Sequence, residues 1–564
     1  MEETRDLLVE IGTEELPPTA LSRLSEAFAA GFRAQLTHHR LDFSSIDAYS
    51  TPRRLALLVR ELRVRQPDQE VARRGPALKA AYDAEGQPTK AALGFARSCG
   101  ADVSDLKQEE TPKGTWLVFR QIQQGRATST LVLGMVEQAL SVLPIPKRMR
   151  WGDGEDEFVR PVHWATLVFG DELVPARLFG VDTNAATRGH RFHHPESISV
   201  TTASGYAELL RAKGRVEPNF ARRREMIQQQ VEALAADTGG RAILEPELLN
   251  EVTGLCEWPT AVIGAFDEEF LEVPPEVLIE TMQKNQKYFP LLSPEGRLLP
   301  RFITVSNIES REPGQVRAGN ERVIRPRFSD AAFFWQQDRK KPIAAFAPKL
   351  ATVVFQKELG TLAEKAARVG QVSRYIAGLL GVDEELAARS AHLAKCDLLT
   401  LMIFEFPSLQ GVMGRYYAEQ SGEHPCVVAA MEEQYLPRHA GDRLPQSQCG
   451  QVLSVADKLD TLVGIFAIGQ RPTGVKDPYA LRRASIGLLR ILIETPLALD
   501  LRELLEFTAE ELRDKVDAKQ AAAEVFDYCM DRLKGYYQDQ GIGADAVDSV
   551  LAGDVRVPSD IHKR

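Results

Sequence analysis

The hydrophobic period changes near residue 340, and that change constrains the fold more than any other feature of the chain. Before it, short apolar runs of strand length alternate with amphipathic stretches and frequent Gly and Pro. After it, apolar residues recur at helical spacing through Leu362–Leu380, Glu384–Phe404, Cys426–Tyr435, Gln451–Gly469 and Pro478–Glu494. A chain of 564 residues is too long for a single core. It therefore reads as multidomain: an α+β N-terminal region, then an all-α helical domain, then acidic C-terminal helices. We divide it into an α+β N-terminal subdomain (1–195), a second α+β subdomain (196–335), an all-α domain (340–495) and an acidic helical segment (496–564). The first cut follows the polar run His193-His194-Pro195-Glu196-Ser197.

Local patterns predict individual elements. Leu7–Ile11 is a short apolar strand that Gly12 ends. Pro17–His38 is an amphipathic helix, with the double proline setting its first turn and Glu14 and Glu15 beside its positive end. Leu55–Leu62 is the second strand of a βαβ-like unit, entered through Thr51-Pro52-Arg53-Arg54. Further strands are expected at Thr115–Gln121, Ala165–Phe169 and Arg301–Val305, and helices at Thr128–Leu143, Pro218–Asp237 and Pro274–Gln286. Asp477 reads as an N-cap with Pro478 at the first helical position. Leu501–Lys519 and Ala521–Gln538 are helices followed by a loop.

No run of about 18 apolar residues exists to span a membrane, and the acidic, polar Met1–Asp6 does not read as a secretory signal. The six cysteines form no Cys-x-x-Cys pair, which argues against a zinc site and a disulfide framework and fits a reducing cytoplasm. The net charge of −10 is unevenly spread: residues 500–564 carry −6, whereas residues 51–80 carry +5 and 317–341 carry +4. Both basic stretches are candidates for RNA contact as well as for plain solvated faces.

No phosphate-cradling Gly-x-x-x-x-Gly-Lys-Ser/Thr loop, Gly-x-Ser-x-Gly elbow or adenylate-forming signature of either synthetase class is present, so no residue reads as catalytic. The better signals combine basic and aromatic residues, which neutralise phosphates and stack on unpaired bases. They are Lys147, Arg150 and Trp151 in Pro146–Gly152, Arg160 in Phe158–Trp164, and Arg188 and Arg191 in Thr187–Phe192. Arg53, Arg54, Arg73 and Arg74 join them from the first basic stretch. Lys284 and Lys287 form a weaker pair. Trp151, Trp164 and Phe192 read equally as core aromatics. Arg322, Arg325 and Arg327 surround Pro326, which predicts an extended, arginine-bearing hinge. Lys476, Arg482 and Arg483 cluster at a predicted helix start, where a phosphate or an acidic neighbour would offset their charge. His190, His193 and His194 lie between Arg188 and Arg191 and so do not read as metal ligands.

Several of these segments resemble one family in the same order. "LLVEIGTEELPP", "PKRMRW", "FVRPVHW", "TRGHRF" and "AGDRLPQSQCGQVLSVADKLDTLVGIFAIGQRPTGVKDPYALRRASIGLLRIL" are similar to stretches of the bacterial glycyl-tRNA synthetase beta subunit. The resemblance implies a tRNA-binding subunit that supports ATP-dependent attachment of glycine to tRNA(Gly). A separate alpha subunit would carry the ATP and Mg site, in an α2β2 assembly, leaving no cofactor in this chain. The helical part resembles an HD-type phosphohydrolase with degenerate positions, where Cys396-Asp397 stands for the His-Asp pair and Asp457 and Asp460 offer carboxylates without histidine partners. We expect no metal there, with Lys395 and Lys458 pairing the acids. Members of the family continue for roughly another hundred residues into an anticodon-binding domain, so this reads as a C-terminally shortened chain. The alternatives are an active HD-type metal-dependent phosphohydrolase and a non-catalytic RNA-binding adaptor.

Overall fold

The computed structural model describes residues 3–83, 86–112, 114–474, 476–495, 497–553 and 555–563. Contacts divide the chain into two units: residues 1–265 with 287–321, and residues 266–286 with 322–564. The first mixes sheets and helices and the second is almost wholly helical.

Unit 1 is built on strand β1 (Thr4–Thr13), whose alternate residues face two different cores. Leu7, Val9 and Ile11 pack under helix α1 (Leu21–His38), while Leu8 faces a second cluster with Tyr49, Ala56, Leu58, Val168 and Tyr206. Gly12 does not end the strand but continues its ladder. The double proline opens a 3-10 turn, Pro18–Ala20, that hands the chain to α1. α1 then buries Leu21, Leu24, Phe28, Phe32 and Leu36, a stripe of the expected period.

The βαβ-like reading is corrected. Strand β2 (Ser45–Thr51) intervenes, and Pro52 and Arg53 turn the chain into β3 (Arg54–Arg63), which lies antiparallel to both β2 and β1. β2 escaped notice because Ser-Ile-Asp-Ala-Tyr-Ser-Thr is half polar. A module spanning 65–127 is inserted after β3, with strands β4 (Gln69–Ala77), β5 (Lys107–Thr111) and β6 (Gly114–Gln123) and helix α2 (Lys90–Cys99). Its ends meet: Arg65 bridges Ala127, and Thr128 N–H donates to Val64 O at 2.9 Å. The chain rejoins the body through helix α3 (Val132–Ser141), which packs on α1, and strand β7 (Val162–Phe169), the other neighbour of β1. Strand β8 (Val181–Asn184) runs parallel to β7, and β9 (Ala186–Arg188) pairs with β10 (Ser197–Ser199).

A second sheet in unit 1 combines Arg241–Ala242, β11 (Thr260–Ala265), β12 (Phe289–Leu292) and β13 (Leu298–Ser306). Helices α4 (Phe220–Ala236) and α5 (Pro246–Leu255) supply Ile227, Val231, Leu249 and Val252 to its core. The helix expected at Pro274–Gln286 is α-helical only over Pro275–Glu280 and passes into a π turn, Thr281–Asn285.

Pro326 does not break the chain into a hinge. Helix α6 runs unbroken from Pro313 to Asp338. The proline is exposed, so water can satisfy the freed carbonyl one turn back. In unit 2, α6 buries Ile324, Phe328, Ala331, Trp335 and Asp338. Phe328 meets Phe266 and Phe270 at 4.8 and 5.6 Å, and Trp335 meets Tyr417 at 5.4 Å.

The helices that follow include α7 (Leu362–Leu380), α8 (Glu384–Leu393), α9 (Pro425–Glu433), α10 (Gln448–Ala467), α11 (Leu481–Glu494), α12 (Leu501–Glu511) and α13 (Lys519–Asp539), and Tyr417 sits on a further helix, Val412–Gln420. α7 has the bounds its pattern predicts, helped by a capping box between Thr361 and Glu364. The helix expected over Glu384–Phe404 breaks after Leu393 into a 3-10 turn at Cys396–Leu399 and a short helix at Leu401–Glu405. α11 starts at Leu481 rather than Pro478, because Asp477 caps it from four and five residues upstream, accepting from the N–H groups of Leu481 and Arg482 at 2.8 and 3.0 Å. The expected C-terminal loop holds two more helices, Ala544–Leu551 and Pro558–Lys563. Against the expectation of no disulfide, Cys426 and Cys449 are bonded, because α9 and α10 bring their Cα atoms to 5.6 Å.

Candidate nucleic-acid interface

The register of the first sheet builds the site. Arg54, Gly12 and Trp164 form one cross-strand row, and Ala56, Glu10 and Thr166 form the next, all on the second-core face. Gly12 is required there: a Cβ would come within 1.9 Å of the Trp164 ring. The indole thus lies across the strand, with the Arg54 guanidinium 5.7 Å from its centroid and that of Arg188 at 5.1 Å.

Arg54 is fully buried and spends all five N–H donors. They go to Thr51 Oγ1 (3.1 Å), Glu10 Oε1 (3.1 Å), Thr187 Oγ1 (3.2 Å), Arg188 O (2.8 Å) and Glu257 Oε1 (3.1 Å). Burial pulls its pKa down, but Glu257 and Glu10 more than offset this and hold it above its ordinary value. Arg53 donates to Glu257 Oε2 and to Gly189 O, each at 2.8 Å. Glu257 also accepts from Thr51 Oγ1 at 2.8 Å. Its burial favours the neutral acid, yet Arg54 and Arg53 bring its pKa down to about 2. Asn307 orients the loop, accepting at Oδ1 from Glu257 N–H (2.6 Å) and Trp258 N–H (3.1 Å). These two arginines, expected as RNA contacts, are therefore committed to the interior and expose no guanidinium to a phosphate.

The rim above them is open. Glu14 accepts from Arg191 at 2.8 Å and pairs with His163 Nε2 at 3.1 Å, and Arg191 in the first place, with His163, lowers its pKa. Arg188 is exposed, stacked on Trp164, and has no carboxylate partner among the described residues. Phe192, next to Arg191 in the same segment, stands 72% exposed. Among the described residues Arg160 bonds to the carbonyl of Val159, at 2.8 Å. Trp164 proves to be a buried platform, Trp151 packs on the first core near Phe179, and Phe192 alone of the three aromatics is presented to solvent. His190 spends both ring nitrogens on backbone, Nε2 facing Asn307 O at 2.7 Å and Nδ1 accepting from the N–H groups of Phe192 and His193. It thereby fixes the loop that carries Arg191 and Phe192.

The remaining candidates scatter. In the inserted module, Arg74 stacks on Trp116 at 4.0 Å and Arg73 bonds Ser98 O. Lys147 is exposed, Arg150 pairs with Glu155 at 2.8 Å and Lys287 with Glu251 at 3.0 Å. In unit 2, Lys284 pairs with Glu280 and Arg325 with Asp267. Arg322, Arg327, Lys476 and Arg483 are exposed without carboxylate partners among the described residues. Arg482 turns back to Gly474 O. The N-terminus of α11 is already occupied by Asp477, which leaves no anion seat there.

The carboxylates expected at degenerate HD positions, Asp457 and Asp460, are held by ammonium and guanidinium groups. Lys365 reaches Asp460 at 2.8 Å and Asp457 at 3.4 Å, Arg368 reaches Asp460 at 2.6 Å, and Lys395 reaches Asp457 at 3.4 Å. Lys458, expected to pair an acid, instead donates to Leu436 O and Ser454 Oγ. Burial lowers its pKa to about 8. Asp397 accepts from Gly411 N–H at 2.6 Å, and burial raises its pKa to about 6. Sequence reasoning missed Glu10, Glu257, Lys365 and Arg368. The first two have a signal in hindsight: a carboxylate inside an otherwise apolar strand and one beside a buried turn each need a cation.

Comparison with known proteins places the whole chain. Residues 7–552 match the family described as glycyl-tRNA synthetase beta subunit. The glycine–tRNA ligase beta subunits of Hahella chejuensis and Chromohalobacter salexigens are each 51% identical to it, over 99% of this chain and 81% of theirs. That of a Pseudomonas putida strain is 50% identical over 97% of this chain and 79% of its own.

Proposed function

Because the chain belongs to the glycyl-tRNA synthetase beta-subunit family, we propose that its open rim in unit 1 is a tRNA-binding surface of a glycine–tRNA ligase. The chain is a ligase subunit that acts with an alpha subunit in attaching glycine to tRNA. Our reading adds an α2β2 assembly, tRNA(Gly) as the RNA, and ATP and Mg held by the alpha subunit, with no bond-making group contributed here. The observation that carries the RNA reading is Arg188, a cation fixed on an indole face with no carboxylate to satisfy it and an exposed Phe192 near it in sequence. Such a group neutralises a phosphate at little entropic cost, and a phenyl ring offers a stacking face for an unpaired base. Binding energy spent on placing the acceptor end turns a bimolecular attack into an effectively unimolecular one.

The helical unit is read as an HD-like scaffold, since its carboxylates are matched by Lys365, Arg368 and Lys395. This weighs against the phosphohydrolase alternative, which needs those carboxylates free for a metal. No helix among the described residues is long and apolar enough to cross a membrane. A cytoplasmic location belongs to the proposal.

The test is aminoacylation with a matching alpha subunit. Addition of this chain is expected to support glycine-dependent charging of tRNA. Arg188→Ala is expected to weaken tRNA binding and lower the salt slope of log K by about one, with urea stability unchanged. Unaltered binding and slope would remove Arg188 from the interface. No effect of the chain on charging would remove the division of labour.

A further inference from the structure

We propose that Cys426 and Cys449 are a reversible thiol–disulfide pair, a redox modification site that clips helix α9 to helix α10 and is oxidised by small-molecule disulfides of the glutathione class. Four observations carry it.

The two cysteines are 23 residues apart in sequence, and each is the second residue of its helix. Their Cα separation of 5.6 Å is set by helix packing rather than by the bond alone. Glu433 at the end of α9 accepts from Ser447 N–H and Ser447 Oγ just before α10, at 3.0 and 2.6 Å. Lys458 and Ser454 of α10 both bond Leu436 O. These contacts hold the hairpin whether or not the sulfurs are joined, so both redox forms keep the fold.

The two sulfurs stand in different surroundings. Cys449 N–H donates to Cys426 Sγ from 3.3 Å. The two differ in access: Cys426 is half-buried and Cys449 fully buried. Cys426 is thus the sulfur an external reagent reaches, and Cys449 the one that resolves it.

Of the four free cysteines, Cys99 is half-buried like Cys426, and the other three supply the contrast. Cys256, Cys396 and Cys529 are buried, and burial pushes each thiol up to about 12. Burial without a neighbouring sulfur leaves them inert, whereas Cys449 has Cys426 within bonding reach.

The chemistry balances. The Cys426 thiolate attacks a disulfide RSSR, forming a Cys426–SR bond and releasing one thiolate. The Cys449 thiolate then attacks Cys426 Sγ and expels the second. Two protein thiols and RSSR give one protein disulfide and two RSH, the protein being oxidised by two electrons and RSSR reduced. The oxidised form closes the segment between the helices, which carries Arg438 and the 64%-exposed Arg443.

The experiment equilibrates the full chain in buffers of graded reduced-to-oxidised glutathione, quenches with acid, alkylates and maps the thiols by mass. The expected result is loss of alkylation at Cys426 and Cys449 together, in one transition that excess dithiothreitol reverses, while Cys256, Cys396 and Cys529 stay unmodified thiols. Cys449→Ser is expected to stop at the glutathione adduct on Cys426. Trypsin cleavage at Arg438 and Arg443 is expected to be at least about tenfold slower in the oxidised form. Full alkylation of both cysteines at every ratio would overturn the proposal. So would a bond that thiol does not reduce without unfolding, or cleavage at equal rates in the two forms.

Discussion

Replacing Glu257 by Gln tests the electrostatic frame under the rim. The side chain keeps its size and its acceptor oxygen but loses the charge that faces Arg53 at 2.8 Å and Arg54 at 3.1 Å. The folded protein holds this carboxyl at about 2 against an ordinary 4.5. At about 1.4 kcal/mol per pH unit, that preference for the ionised form is worth about 3 kcal/mol of stability. Breaking one partner out of a buried pair costs about 3–5 kcal/mol in general, which agrees. The sign follows from the depressed value: the contribution is complete above pH 4.5 and fades as the pH falls toward 2. Urea unfolding followed by tryptophan emission reads it, since four of the five tryptophans lie in unit 1. At pH 7 the variant's midpoint is expected about 1 M lower, for a slope of about 3 kcal/mol/M. Its stability is also expected to decline less than that of wild type between pH 4.5 and 3, because the Glu257 contribution is gone while other depressed carboxylates such as Glu14 and Asp457 remain. A variant within about 0.5 kcal/mol of wild type at pH 7, with the same acid decline, would refute the reasoning.

Two other substitutions probe separate features. Gly12→Ala drives a methyl into the Trp164 ring and is expected to cost about 1–3 kcal/mol, with a red-shifted indole emission as the ring is displaced; unchanged emission would count against the stacked platform. Lys365→Met leaves Asp460 with Arg368 and Asp457 with Lys395 only. Thermal melting followed by circular dichroism is expected to show about 3 kcal/mol lost, and a loss below about 0.5 kcal/mol would show that the ammonium is not needed.

Elements with a strong period were legible in the residues. α7 follows its apolar spacing from end to end, and β1, β3 and β7 surround the runs that announced them. What failed was locally ambiguous. β2 is half polar, and Gly12, a breaker in isolation, is held extended by two neighbouring strands. Pro326 sits where solvent replaces the hydrogen bond it cannot make. The family was readable from short motifs. The division between buried and exposed arginines was not, because Arg53 and Arg188 look alike until Glu257, some 200 residues away, claims one of them. The cysteine pair was invisible for the same reason: a spacing of 23 residues means nothing until two helices fold side by side.

The inserted module leaves and re-enters the body at adjacent backbone positions, Val64 and Thr128. To the host sheet it is a loop whose two ends already touch. Closing a loop costs only about 0.6 kcal/mol more for each doubling of its length, so the strands on either side are indifferent to what is strung between them. A lineage could enlarge, exchange or lose this segment without re-registering a single rung of the sheet. Novelty in such a chain can accumulate there while the arginine network, which starts at Arg54 at the opposite end of β3, stays fixed.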